Sequence, residues 1–135
     1  DWKEMRIIFA CVHNAGRSQM AAAFYNTLAG RSHQAASAGT QPGECLHPKV
    51  VAVMQEIGID LSDAKPQLLT KELAANADML ITMGCGEACP HVPGLKRQDW
   101  PFPDPKGKPL DEVRKIRDEI KHKVHALVAN ELTID

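Results

Sequence analysis

The residues Met5 to Val12 (MRIIFACV) constrain the fold more than any other segment. This short, apolar, β-branched run reads as a strand buried in a parallel sheet. It stops at the turn-like tetrapeptide His13-Asn14-Ala15-Gly16. Ser18 then opens an Ala-rich helical segment, Gln19 to Ala29, with Met20, Phe24 and Leu28 at helical spacing. Gly30 is a natural stop. A buried strand that passes through a tight loop into a helix is the start of a βαβ unit, so the rest of the chain is expected to supply parallel partners and covering helices.

The remaining segments fit that expectation. His33 to Ser37 reads as a second strand ending at Ala38-Gly39. Pro48 begins a second helix with Val50, Val51, Val53, Met54 and Ile57 apolar, closed by Gly58. Thr70 is a suitable N-cap for a short helix over Lys71 to Ala75. Ala77 to Met83 (ADMLITM) reads as another buried strand. Six of the nine prolines fall between Pro90 and Pro109, which predicts a loop holding at most a short strand near Gln98 to Phe102. In the last helix, Val113, Ile116, Ile120, Val124 and Leu127 recur at three- and four-residue intervals and make one apolar face. The pairs Asp111–Lys115 and Glu119–Lys123 stand four apart in the favoured acid-first order. His122 and His125 fall on its charged, solvated face. The reading is a single α/β domain over residues 5–135, with an open four-stranded parallel sheet and helices on both faces. Met5 reads as the natural start, and residues 1–4 as a processing remnant.

Composition narrows the function. Sixteen Lys and Arg stand against 17 Asp and Glu, a net charge of -1, which argues against nucleic-acid binding. Aromatic residues are only 4% of the chain, too few for a base-stacking platform. The early apolar run, Ile7 to Val12, is too short for a signal h-region, and no stretch approaches the length of a membrane span. The four cysteines therefore point to chemistry in a cytoplasmic setting rather than to a disulfide framework.

The densest cluster of chemistry is Cys11-Val12-His13-Asn14-Ala15-Gly16-Arg17-Ser18, between the first strand and the first helix. Ligands of open parallel sheets bind at such carboxyl ends. A loop curling into a helix start turns successive N–H groups of Val12 to Arg17 inward, where they and the helix dipole favour an anion. Five residues separate Cys11 from Arg17, enough to wrap a tetrahedral anion between sulfur and guanidinium. The planar fork of Arg17 can hold two oxygens. The same field favours thiolate at Cys11, and Ser18 can donate its hydroxyl to it. The plain alternative is a structural cysteine beside a helix cap, but Cys-x5-Arg-Ser in a strand–loop–helix setting is far more specific. His13 contributes a backbone N–H to the loop.

Two further thiols lie in Cys85-Gly-Glu-Ala-Cys89-Pro, after the strand that ends at Met83 and on the same rim as Cys11. Four residues apart and flanked by Gly84 and Gly86, they could form a disulfide within the segment. The alternatives are two unrelated buried thiols or a zinc site with His91, yet for zinc these residues supply at most three local ligands, and His47 and Cys45 are distant.

The loop from Cys11 to Ser18 resembles that of low-molecular-weight protein tyrosine phosphatases and of the arsenate reductases that share their fold. The stretch Met83-Gly-Cys-Gly-Glu-Ala-Cys-Pro is similar to thioredoxin-coupled arsenate reductases with three residues between their shuttle cysteines. That resemblance implies that Cys11 attacks arsenate, that Cys85 attacks the adduct to release arsenite, and that Cys89 then forms a Cys85–Cys89 disulfide for a reductant. Asp99-Trp100-Pro101-Phe102-Pro103-Asp104-Pro105 resembles the family's acid segment, which implies Asp104 as proton donor, with Asp99 the weaker candidate. Lys106 follows where the phosphatases carry an aromatic. Asn14 matches a loop asparagine that stiffens the cradle, and Ser37 also fits the family. Some members bind potassium, but Ala22 and Gln67 replace the expected acids and Lys65 could stand in, so no obligatory potassium, and no other metal or cofactor, is expected.

The expected substrate is arsenate, with phosphate or sulfate competing. The expected partner is thioredoxin, or a small thiol such as glutathione or mycothiol with a glutaredoxin. A monomer is expected, with no nucleic-acid or membrane partner. The alternatives are a small phosphatase, in which Cys85 and Cys89 are incidental, and an anion-binding module without turnover. Cys45 reads as a bystander.

Overall fold

The computed structural model describes residues 5–29, 33–84 and 94–133. In chain order the elements are β1 (Met5–Cys11), α1 (Arg17–Ala29), β2 (His33–Gly39), α2 (Pro48–Glu56), α3 (Lys71–Ala75), β3 (Met79–Thr82), β4 (Lys96–Asp99) and α4 (Leu110–Thr133). The strands form one sheet in the order β2-β1-β3-β4, and every neighbouring pair is parallel. The expected four-stranded open sheet is therefore the sheet observed.

Alternation along β1 sorts its side chains between two layers. Ile7, Phe9 and Cys11 face the larger core with Met20, Phe24 and Tyr25 of α1, Val50, Val53 and Met54 of α2, and the apolar stripe of α4. Ile8 and Ala10 face the smaller core with Ala38, Leu80 and Ala74 of α3. Both faces of the central strand are thus dry, which is why its sequence is a continuous apolar run. Phe9 anchors the larger core: its ring centroid lies 6.2 Å from that of Tyr25 and 5.6 Å from that of Trp100, both tilted. Helix α1 is buried on nearly all sides, packing on β1, β2 and α4.

Four expectations need correction. The last strand lies at Lys96–Asp99, not near Gln98 to Phe102. Trp100 N still donates to Thr82 O at 2.7 Å, but Pro101 and Pro103 have no N–H to extend the ladder. All four residues of β4 are exposed, as on a polar sheet edge, so no hydrophobic pattern marks it. The third strand is shorter than Ala77 to Met83, spanning Met79–Thr82. In α4 the buried stripe runs Val113, Ile116, Ile120, Val124 and Val128, with Leu127 only half-buried. The α4 charges also pair differently. Asp111 accepts from Arg114 at 2.7 Å, and Arg114 also grips Glu56 of α2, while Lys123 Nζ stands 5.7 Å from the Trp100 ring centre. Asp111 thus takes an i,i+3 partner on its own helix and Lys123 a tertiary one; exposed pairs along one helix contribute only tenths of a kcal/mol, so spacing alone does not select among them. The α3 cap is as expected, with Thr70 Oγ1 accepting from Leu73 N at 3.1 Å.

Candidate active site

The strand order places β2 on one side of β1 and β3 on the other, so the chain leaves the carboxyl ends of β1 and β3 in opposite directions. That divergence opens a crevice at the sheet's rim. Cys11 ends β1 at this point, and Gly84 lies two residues beyond the end of β3.

The loop from Val12 to Gly16 is held from outside by its carbonyls. Cys11, Val12, His13 and Ala15 accept from the backbone N–H groups of Thr40, Gln41, Gly43 and His47 at 2.8 to 3.2 Å. Among the described residues no group accepts from the backbone N–H groups of Val12 to Gly16, which leaves donors available to an anion. Asn14 sits at the bend with φ of +52°, fully buried. Its Nδ2 donates to Ser18 Oγ at 2.7 Å, and its Oδ1 accepts from Gln67 N at 2.9 Å and Gln19 Nε2 at 3.1 Å. With Asn14 donating to it, the Ser18 hydroxyl is free to give its own proton to Cys11 Sγ, 2.8 Å away. A buried sulfur with a directed donor is equipped to carry negative charge. His13 Nδ1 lies 3.0 Å from Gln41 O and closes the outer side of the loop.

Arg17 opens α1 with its side chain nearly buried. Its Nη1 donates to Phe102 O at 3.0 Å, and its Nη2 stands 3.9 Å from Asp104 Oδ2. The guanidinium therefore ties the anion loop to the segment after β4. Gly84 makes room for it. With φ of +92°, a Cβ there would stand 2.5 Å from Arg17 Nη1. Gly84→Ala is expected to push the fork aside and weaken inorganic phosphate binding by roughly tenfold, as read by titration calorimetry. An affinity within twofold of the parent would show that Arg17 does not need that space.

The two candidate acids differ in setting. Asp99 Oδ1 accepts from the buried Thr82 hydroxyl at 2.6 Å, which joins β3 to β4. Asp104 has a half-exposed side chain, receives Lys106 N at 3.0 Å and faces Arg17, so it alone combines access to solvent with proximity to the cradle. Ser37 is buried in β2, and its carbonyl accepts from Gln67 Nε2 at 2.8 Å. Gln67 is thereby committed to the loop's support. Lys65 approaches it only through its carbonyl, which accepts from Gln19 Nε2 at 3.2 Å. Ala22 is buried in α1. Cys45 is exposed and free, and among the described residues no group of three or more His, Cys, Asp or Glu is placed to hold a metal. Cys85, Cys89 and His91 lie outside the described residues.

Sequence reasoning missed two supports. Gln19 reaches back to the Asn14 carbonyl and carboxamide; its signal was a buried polar side chain in an Ala-rich helix. His47 precedes Pro48 at the N-cap of α2, where Ser, Thr, Asp or Asn would ordinarily cap, and its side chain makes no cap bond. Burial pushes the His47 imidazole below its usual range, while the nearby Asp104 carboxylate opposes that shift.

The profile of the family described as "Low molecular weight phosphotyrosine protein phosphatase" matches residues 6–135. Arsenate reductase 2 of Staphylococcus haemolyticus is 37% identical over 119 residues, covering 85% of this chain and 89% of that protein. The solved Corynebacterium glutamicum thioredoxin-dependent arsenate reductase is 39% identical with a TM-score of 0.81. The match covers 93% of this chain but only 61% of that longer one. A low molecular weight protein tyrosine phosphatase from T. tengcongensis superposes with a TM-score of 0.83 at 26% identity, covering 93% of this chain and 99% of the phosphatase. Among the described residues no helix is long and apolar enough to cross a membrane.

Proposed function

Because this chain belongs to the low molecular weight phosphotyrosine protein phosphatase family, we propose that its cradle holds a tetrahedral oxyanion for attack by Cys11, and that the oxyanion is arsenate, reduced to arsenite. The observation that carries the reading is the buried Cys11 sulfur, 2.8 Å from a hydroxyl donor at an anion-binding loop whose carbonyls are turned away. Two more thiols, Cys85 and Cys89, follow Gly84 in the chain, and Gly84 lies against Arg17. A phosphatase has no use for them. The 37% identity to a staphylococcal arsenate reductase supports the same choice.

In this mechanism Val12 to Gly16 bind arsenate through backbone N–H groups and Arg17 through its fork. The Cys11 thiolate bonds to arsenic, and an arsenate hydroxyl leaves as water on receiving the Asp104 proton. The Cys85 thiolate then attacks the Cys11 sulfur. The electron pair of the S–As bond passes to arsenic, arsenite departs, and two thiols have supplied the two electrons. Cys89 displaces Cys11 from the Cys11–Cys85 disulfide, and a dithiol partner of the thioredoxin class reduces the resulting Cys85–Cys89 bond. Working thiols of this kind require a reducing compartment, which fits the cytoplasm. Every group named lies in one chain, so a monomer suffices.

The test is arsenate-dependent NADPH consumption with thioredoxin and its reductase. Wild type should cycle. Cys85→Ser should not release arsenite, and Cys89→Ser should release about one arsenite per enzyme without sustained turnover. Normal cycling by Cys89→Ser would remove the relay. Full activity of both variants on an aryl phosphate, with wild type ignoring arsenate, would establish a phosphatase.

A further inference from the structure

We infer that His47 is a positioning residue for the proton donor: its imidazole, wedged between the anion loop and Asp104-Pro105-Lys106, governs how the Asp104 carboxyl faces the bound oxyanion. The inference rests on the proposed reaction for its kinetic consequence, but its geometry stands apart.

Three elements meet at Gly16. His47 N donates to Ala15 O at 3.0 Å, which pins the start of α2 to the loop. A Cβ built on Gly16 would stand 3.3 Å from His47 Cδ2 and 2.9 Å from Pro105 Cγ, so ring and acid segment close over the same point. His47, Pro105 and Lys106 also line a common cleft of about 240 Å³. The ring contributes nothing to the helix cap, and among the described residues it has no side-chain hydrogen bond. A residue at a capping position that leaves the cap unmade, and meets the neighbour of the acid over Gly16, is placed for the acid segment rather than for the helix.

The electrostatics around the ring give this placement a direction. Asp104 and Lys106 face it from the acid segment, and His13 and Arg17 from the anion loop and α1. Lys49, on its own helix, gives its Nζ to Lys108 O at 2.7 Å. Burial and the three neighbouring bases hold the ring uncharged near neutrality, with only Asp104 favouring the imidazolium. An uncharged ring exerts no charge–charge pull on the Asp104 carboxyl, which stays beside Arg17 at the cradle. Once the ring is protonated, at a pH below the usual imidazole range, the imidazolium attracts the Asp104 side chain and draws it away from the oxyanion. The proton-requiring step therefore slows as pH falls through the His47 transition. A lone carboxylic donor would give the opposite trend.

Two measurements on the full chain test this. By NMR, the His47 ring should titrate below its free range, and Asp104→Asn should move that titration to still lower pH, because the only neighbour favouring the imidazolium is gone. In single-turnover arsenate reduction, His47→Asn and His47→Gln should lose the acid-side fall. The ratio of the rate at about pH 8 to that about one pH unit below the His47 midpoint found by NMR should drop at least ~threefold relative to wild type. A purely structural role would scale the rate equally at both pH values. An unmoved His47 titration in Asp104→Asn, or an unchanged ratio in both His47 variants, overturns the inference. Failure of wild type to form arsenite would overturn the proposed reaction instead, and the NMR measurement would then decide the His47–Asp104 coupling by itself.

Discussion

Cys11→Ser is expected to abolish arsenite formation, with a loss of at least roughly 10⁴-fold in single-turnover rate. The reason is the nucleophile rather than the fold. Serine is nearly isosteric with cysteine and can keep the contact to Ser18 Oγ that Cys11 Sγ makes at 2.8 Å. The site at the end of β1 is buried, with Cys11 2% exposed, so a smaller atom there leaves the packing of Phe9 and Ala10 intact. What disappears is the thiolate, because an alkyl hydroxyl stays protonated where a thiol ionises. The backbone donors of Val12 to Gly16 and the Arg17 fork are untouched, so phosphate binding measured by calorimetry should survive. Arsenite formation by Cys11→Ser at more than a hundredth of the parent rate would disqualify Cys11 as the attacking group. Loss of phosphate binding together with turnover would show that the substitution had damaged the cradle.

The second large effect is on stability. Asn14→Ala should lower the unfolding free energy by about 3 kcal/mol, the result of two separate losses. Removing the carboxamide leaves the Gln67 N–H without its acceptor at 2.9 Å and the Ser18 hydroxyl without its donor at 2.7 Å. An unpaired buried donor alone costs about 1–3 kcal/mol. Alanine must then adopt the φ of +52° that asparagine tolerates, for about 1 kcal/mol more. Gln19 Nε2 is less affected, since it also donates to the Asn14 and Lys65 carbonyls. In a chain of this size the melting temperature should fall by roughly 10 °C. Asn14→Gly removes the same hydrogen bonds but relieves the backbone, so it should melt above Asn14→Ala despite the flexibility of glycine. If the two variants melt together, the positive φ contributes nothing and the carboxamide explains the whole loss.

Much of the site is legible in local sequence patterns. Cys11, Arg17 and Ser18 lie within eight residues, and a tight strand-to-helix loop brings residues that close together whatever the rest of the chain does. The strands β1 and β3 declare themselves because burial on both faces demands unbroken apolar runs. Edge strand β4 does not, since Lys96–Asp99 carry no hydrophobic pattern and their pairing with Met79–Thr82 depends on backbone hydrogen bonds that any side chain permits. Thr70 reveals its cap because capping is decided within three residues. The charge pairs of α4 are misread from spacing because Asp111 meets Arg114, one residue short of Lys115, and Lys123 reaches the Trp100 ring, 23 residues before it.

By itself, then, the sequence determined the α/β class, the oxyanion loop and the resemblance that implies the arrangement of working thiols. All of these rest on interactions between near neighbours or on periodic burial. Only the tertiary structure decided what surrounds the loop. It brought Phe102 O to Arg17, Gln67 to Asn14, Gly84 beneath the guanidinium, and His47 to the acid segment. Those contacts join residues 53 to 85 positions apart at the carboxyl ends of parallel strands. No local rule encodes such meetings. They follow from the strand order β2-β1-β3-β4, which gathers the ends of distant segments around one crevice.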